Sequence, residues 1–91
     1  MIRDLEKELG LDDALAVESS RVRVRVDARR YGKSVTLIDG FDAAVDLNAL
    51  AKELRQGIGV GGTVKDDVIE LQGDHQRKVR ERLEKMGYAF A

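Results

Sequence analysis

The chain has 91 residues, a formal net charge of -1, no cysteine and no proline. That length allows one small domain burying roughly two thirds of its unfolded surface, with room for a single site. The missing cysteines exclude disulfides, thiolate metal sites and cysteine nucleophiles and fit a reducing, cytoplasmic setting. No apolar run approaches a membrane span, so neither a membrane nor a signal peptide is expected.

The near-zero total conceals an asymmetry. Residues 1–20 hold two basic and six acidic side chains, whereas residues 21–91 hold fourteen basic and eleven acidic ones. An acidic N-terminal extension over 1–20 therefore precedes a mildly basic domain over 21–91. Within the extension Ile2, Leu5 and Leu9 recur at helical spacing until Gly10 interrupts them. The expectation is a segment that is partly disordered or a short helix, since so short a helix has little stability alone.

From Arg21 the period changes to two. Val22, Val24 and Val26 point one way and Arg21, Arg23 and Arg25 the other, which describes a half-buried strand. Residues 34–39 continue the pattern with Val35 and Leu37 on one face, and the intervening ARRYG closes a hairpin in which Gly32 supplies the positive φ a tight loop wants. Asp46 is suited to cap a helix whose apolar stripe is Leu47, Leu50, Ala51 and Leu54, with Gly57 as terminator and Lys52 and Arg55 facing elsewhere.

A third strand from Val60 through GGTVK turns at Asp66 and Asp67 into VIEL, a second hairpin. Asp74 is placed to cap a last helix that buries Val79, Leu83 and Met86 and stops at Gly87, after which Tyr88 and Phe90 suggest a short closing strand. The order hairpin, helix, hairpin, helix predicts an α+β two-layer sandwich. Its mixed or antiparallel sheet has four or five strands, with two helices on one face.

Catalytic chemistry finds little to use. His75 is the single histidine and no local pattern sets it beside a serine or threonine. The glycines of GIGVGGT at 57–63 precede a strand and lack the Gly-Lys-Ser/Thr of a phosphate loop. Asp12 with Asp13 and Asp66 with Asp67 are neighbours in sequence, which suits turns and not acid–base partners across a cleft. One histidine and scattered carboxylates give no metal-ligand spacing, so neither metal nor cofactor is expected.

The remaining signal is basic. Arg29, Arg30 and Lys33 flank Tyr31 and Gly32 at the hairpin tip, and Arg21, Arg23 and Arg25 line the strand leading to it. Guanidinium forks match phosphates and a tyrosine can stack on an unpaired base, so the tip reads as an RNA contact; an arginine row that only solubilises a strand is the plainer alternative.

Three blocks in order, RRYGKSVTLIDGFD at 29–42, GGTVK at 61–65 and IELQGDHQRKV at 69–79, resemble the signatures of the translation initiation factor one family, and the resemblance spans about residues 21–90. It implies a non-enzymatic protein that binds the small ribosomal subunit and its 16S-type rRNA near the P site. There it would act with mRNA and initiator tRNA, and with other initiation factors, to favour correct start-codon pairing.

Mapped onto this chain, the decoding-region contacts are Arg29, Arg30, Tyr31, Gly32 and Lys33. Secondary contacts fall on Lys52, Arg55, Gln72, Gly73, Asp74, His75, Arg77 and Lys78. A monomer is expected. The cysteines of many archaeal members are absent and Val60 stands before the glycine pair. A generic RNA-binding protein or stress-related translation regulator of the same fold therefore stays open beside the general factor.

Overall fold

The computed structural model describes residues 11–28 and 32–91. Strand β1, Arg21–Ala28, forms where the period-two pattern places it: Val22 and Val24 are buried while Arg21, Arg23 and Arg25 are exposed. Strand β2, Ser34–Asp39, pairs with it antiparallel, with Arg23 opposite Asp39 and Ala28 opposite Ser34. Helix α1, Leu11–Ser19, leads into β1. The periodicity of Ile2, Leu5 and Leu9 lies outside the described residues.

Helix α1 is joined to the body at its C-terminal end. Ala16 is buried and Val17 packs on the core. The buried Ser20 hydroxyl donates to the Ala16 carbonyl and accepts the Asp42 N–H, both at 2.8 Å, so one side chain ties the helix end to the segment after β2.

Helix α2, Leu47–Ile58, starts at Asp46, whose Oδ1 accepts the Ala49 N–H at 3.1 Å. Its stop differs from expectation by two residues. Gly57 stays helical, and its missing side chain leaves room for the Arg82 guanidinium, which lies where a Cβ would project and donates to the Gly57 carbonyl at 2.8 Å. Gly59, at φ 82°, is the left-handed residue that ends the helix, and its N–H and that of Val60 both reach the Arg55 carbonyl. That bond holds Val60 to the helix end, so strand β3 begins only at Gly62 and runs Gly62–Lys65.

Strand β4, Val68–Gln72, returns antiparallel after a two-residue turn in which Asp66 and Asp67 both have positive φ, 52° and 62°. Helix α3, Gln76–Lys85, follows, and strand β5, Ala89–Phe90, closes the sheet parallel to β1. The five strands lie in the order β3-β4-β2-β1-β5, which makes the sheet mixed, as expected.

Helices α2 and α3 cover one face of the sheet. Leu50, Ala51 and Leu54 from α2 and Val79 and Leu83 from α3 meet Val22, Val24, Ile38, Ile69 and Leu71 in one core, with Tyr88 set edge-on to Phe41 at 5.4 Å between ring centres. In β2 it is Thr36 and Ile38 that face the helices. The face shared by Val35 and Leu37 is the outer one, where the register sets Leu37 between Arg25 and Glu70. The run VTLI is apolar on both sides because β2 is the middle strand, flanked by long side chains that cover its outer face.

Candidate nucleic-acid interface

Three connections, β1 to β2, α2 to β3 and β4 to α3, meet at one end of the sheet. Strand β2 starts there, just after Gly32 and Lys33; β4 ends there with Gln72 opposite Val35; and β3 starts there from the end of α2. Helix α3 begins at the same end with Gln76, Arg77 and Lys78. Antiparallel pairing of β4 with both β2 and β3 makes this unavoidable: the start of β2 and β3 and the exit of β4 must share an edge. Residues separated by more than forty positions in sequence are thereby gathered.

Of the residues expected at the hairpin tip, Arg29, Arg30 and Tyr31 lie outside the described residues. Gly32 is exposed with φ 72°, the left-handed conformation expected of it, and Lys33 is exposed beside it. An open groove of about 420 Å³ runs from Lys33, Ser34 and Val35 to Gln72 and Gly73.

The segment Gln72 to His75 is locked against β2 from beneath. The fully buried Thr36 hydroxyl donates to the Gly73 carbonyl at 2.7 Å and accepts the His75 N–H at 2.9 Å, while the Gly73 N–H reaches the Ser34 carbonyl at 2.8 Å. His75 Nε2 lies 2.8 Å from the Gln72 carbonyl, an oxygen that only accepts, so this nitrogen carries the hydrogen. Gly73 has φ 95°, and a Cβ on it would come within 2.6 Å of the His75 ring. The histidine is thus folded back on the backbone that precedes it and serves to shape the loop.

The cap of α3 is displaced by one position from the expected Asp74. His75 is the capping residue and makes no side-chain cap bond; Asp74 Oδ1 instead accepts the Gln76 N–H at 3.4 Å, a turn two residues long. Thr36 is the cause, since it claims the His75 N–H and sets where the helix can begin.

The cations expected to contact RNA differ in their freedom. Lys33, Lys52 and Lys78 have no carboxylate partner among the described residues. Arg77 pairs with Glu81 one turn on, at 3.3 Å. Arg55 is half-buried and donates to the Gly62 carbonyl at 3.0 Å, forming with Lys52, Gln56, Gly59 and Val60 the wall of a groove of about 460 Å³. Nothing in this arrangement activates a nucleophile. It presents donors and positive charge.

Two residues that the sequence reading passed over belong to the same surface. Arg82 and Lys85 join Lys78 along a groove of about 280 Å³ between the end of α2 and α3. Their spacing of four and three residues is visible in the sequence as a basic stripe on the side of α3 away from Val79 and Leu83.

The strand arginines, expected to extend the charged line to the tip, are engaged instead. Arg23 grips Asp39 with Nε at 3.0 Å and Nη2 at 3.3 Å, Arg25 reaches the same carboxylate at 3.5 Å, and Arg21 donates to the Glu18 and Ser20 carbonyls at 2.7 Å. The cross-strand register makes Asp39 the partner, and a single-strand pattern does not reveal it. Among the described residues there is no cluster of potential metal ligands and no helix long and apolar enough to cross a membrane.

The family model described as translation initiation factor SUI1 matches residues 18–89. A "Protein translation factor SUI1 homolog" of Methanocaldococcus jannaschii is 50% identical over 86 residues, covering 93% of this chain and 84% of the relative. Proteins of the same description from Methanococcus maripaludis and Methanosarcina barkeri are 49% and 43% identical over the same coverage. The matched span takes in both hairpins, α2, α3 and the locked loop between β4 and α3, so the chain belongs to the translation initiation factor SUI1 family.

Proposed function

We propose that this translation initiation factor works by binding the small ribosomal subunit near the P site, where it contacts rRNA and promotes accurate pairing of initiator tRNA with the start codon. The observation that carries the reading is that Lys33, just before β2, and Lys78, in the first turn of α3, stand at the same end of the sheet on either side of a loop held by Thr36, and neither has a carboxylate partner among the described residues. Arg29, Arg30 and Tyr31, between β1 and β2 in sequence, are the residues this reading assigns to the decoding region.

The work is done by placement and charge, without a covalent step. Lysine ammonium groups and guanidinium forks neutralise phosphates and release counterions, so affinity falls as salt rises. With about five phosphates neutralised, the log–log slope is roughly -3 to -5. Binding of this kind is reversible, which suits a factor that must leave once a start site is chosen. The loop then discriminates sterically: it is accommodated while the codon is being inspected and displaced when the tRNA settles. The factor acts as a monomer alongside mRNA, initiator tRNA and other initiation factors.

The test is co-sedimentation of the chain with purified small subunits at two salt concentrations, for the wild type and for a variant with Arg29, Arg30 and Lys33 changed to Ala. The variant is expected to bind more weakly, to show a shallower salt slope and to initiate more often at near-cognate codons. Unchanged binding and unchanged codon choice refute the reading. Equal affinity for subunits and for unrelated structured RNA indicates instead a generic RNA-binding protein.

A further inference from the structure

The groove between the end of α2 and α3 is lined by Gly57 and Ile58 on one side and by Lys78, Glu81, Arg82 and Lys85 on the other. Its three cations recur at intervals of four and three residues, so they form one row along a single face of α3. Lys78 stands in the first turn, next to the loop held by Thr36, and Lys85 closes the helix. The row thus starts at the basic end of the sheet and leads away from it.

Nearby carboxylates leave this row with a positive surplus. Glu81 is the one acidic residue lining the groove, and it is paired with Arg77 at 3.3 Å. Glu84, the other acidic residue of α3, follows Arg80 by one helical turn and lines no part of the groove. Lys78 and Lys85 have no carboxylate partner among the described residues. Around the same last turn of α2, Lys52 and Arg55 line the neighbouring groove, which has no acidic residue. Arg82 is held in advance: its Nη2 donates to the Gly57 carbonyl at 2.8 Å, in the space that a side chain at 57 would fill. The rest of its rigid fork of N–H groups is thereby fixed in the groove wall at little further cost in side-chain freedom.

We propose that Lys78, Arg82 and Lys85 form a phosphate-binding track that takes the sugar–phosphate backbone of ribosomal RNA along α3. This rests on the reading of the chain as a factor that binds the small subunit, and it adds a second contact with a different task. Phosphate contacts fix position and orientation and carry no sequence information. The track therefore anchors the factor, while discrimination between codons belongs to the hairpin tip.

An RNA backbone suits the groove because phosphate offers acceptors only and repeats its charge along the chain, as the row of donors does. An acidic peptide suits it less. The strong anchors of protein interfaces are side chains set in desolvated pockets, and the one apolar side chain lining this groove, Ile58, already packs on the core.

The chain has no cysteine, so a single one can carry a tethered iron chelate that generates hydroxyl radicals. With the full chain bound to purified small subunits free of mRNA and tRNA, the chelate on Glu81→Cys is expected to cut rRNA at a discrete set of nucleotides. The chelate on Ser19→Cys, beside the start of β1 at the other end of the sheet, should leave those nucleotides intact. Lys85→Gln, which removes no bond within the protein, should flatten the salt slope of subunit binding by about 0.7–0.9 and leave codon choice unchanged. Lys65→Gln, which removes an exposed charge at the far end of β3, should keep the wild-type slope.

The track is overturned if the bound Glu81→Cys chelate cuts no rRNA, cuts ribosomal protein alone, or cuts the same nucleotides as the Ser19→Cys chelate. It is also overturned if Lys85→Gln keeps the wild-type slope or if Lys65→Gln flattens it as much. These outcomes leave the ribosome reading standing. Failure of the wild type to pellet with subunits refutes that reading, and the track with it.

Discussion

The Thr36 hydroxyl and the His75 backbone N–H, 39 positions apart in sequence, are joined by a 2.9 Å hydrogen bond at the root of the basic surface. The same oxygen donates to the Gly73 carbonyl at 2.7 Å. One buried side chain in the middle strand thus decides the shape of the loop from Gln72 to His75 and where α3 begins, and through these the position of Arg77 and Lys78.

Thr36→Val keeps the β-branched shape and strand preference but leaves a carbonyl and an amide without their partner. Each unsatisfied group costs about 1–3 kcal/mol when buried, and partial access of water to the loop lowers the total, so a loss of about 2 kcal/mol is expected by urea denaturation. Thr36→Ser retains the hydroxyl and should lose less. Subunit binding should weaken in the valine variant even at temperatures where it is folded, because the loop is no longer held.

The Asp46 carboxylate satisfies a first-turn amide of α2 that has no partner within the helix. Asp46→Ala should cost about 1 kcal/mol in thermal or chemical melts, and Asp46→Asn considerably less. Equal stability of the wild type and the alanine variant would show that the bond contributes nothing.

Asp39 holds two arginines at the surface, and both are more exposed than buried. Asp39→Asn should therefore change stability by less than about 1 kcal/mol, since exposed ion pairs are strongly screened. The larger effect is electrostatic: two guanidinium groups are released on the outer face of the sheet. Affinity for heparin or total RNA should rise and its salt slope should steepen by about one unit for each extra phosphate neutralised. A slope identical to that of the wild type would mean that Arg23 and Arg25 stay withdrawn.

The turn between β3 and β4 holds two non-glycine residues at positive φ. Asp67→Gly relieves the second of them and creates the Asp-Gly pair favoured in such turns. The relieved steric cost outweighs the added freedom of the unfolded chain, and a gain of about 0.5–1 kcal/mol is expected. A lower melting temperature would show that the Asp67 side chain contributes more than its backbone strain costs.

Much of this fold was legible locally. The valine and arginine alternation of β1, the Asp46 cap, the apolar stripes of α2 and α3 and the paired aspartates between β3 and β4 are each properties of a few consecutive residues, and each appears in the structure where its pattern lies. The stop at Gly59 in place of Gly57 was not legible, because the need for a glycine at 57 comes from the close approach of Arg82, 25 residues away, and not from a helix stop. The face of β2 that meets the core was ambiguous for a related reason: a middle strand is apolar on both sides.

Composition, periodicity and turn chemistry determined the class of fold, the succession of its elements and the identity of its basic blocks, since these depend on neighbours in the chain. The tertiary structure alone decided which cations stay free. Arg23 and Arg25 are drawn to Asp39 by the register of two strands, while Lys33 and Lys78 come to the same end because β2 starts where β4 ends and α3 begins just after β4. Charge pairing is a matter of distance in space, and strand order and register set that distance.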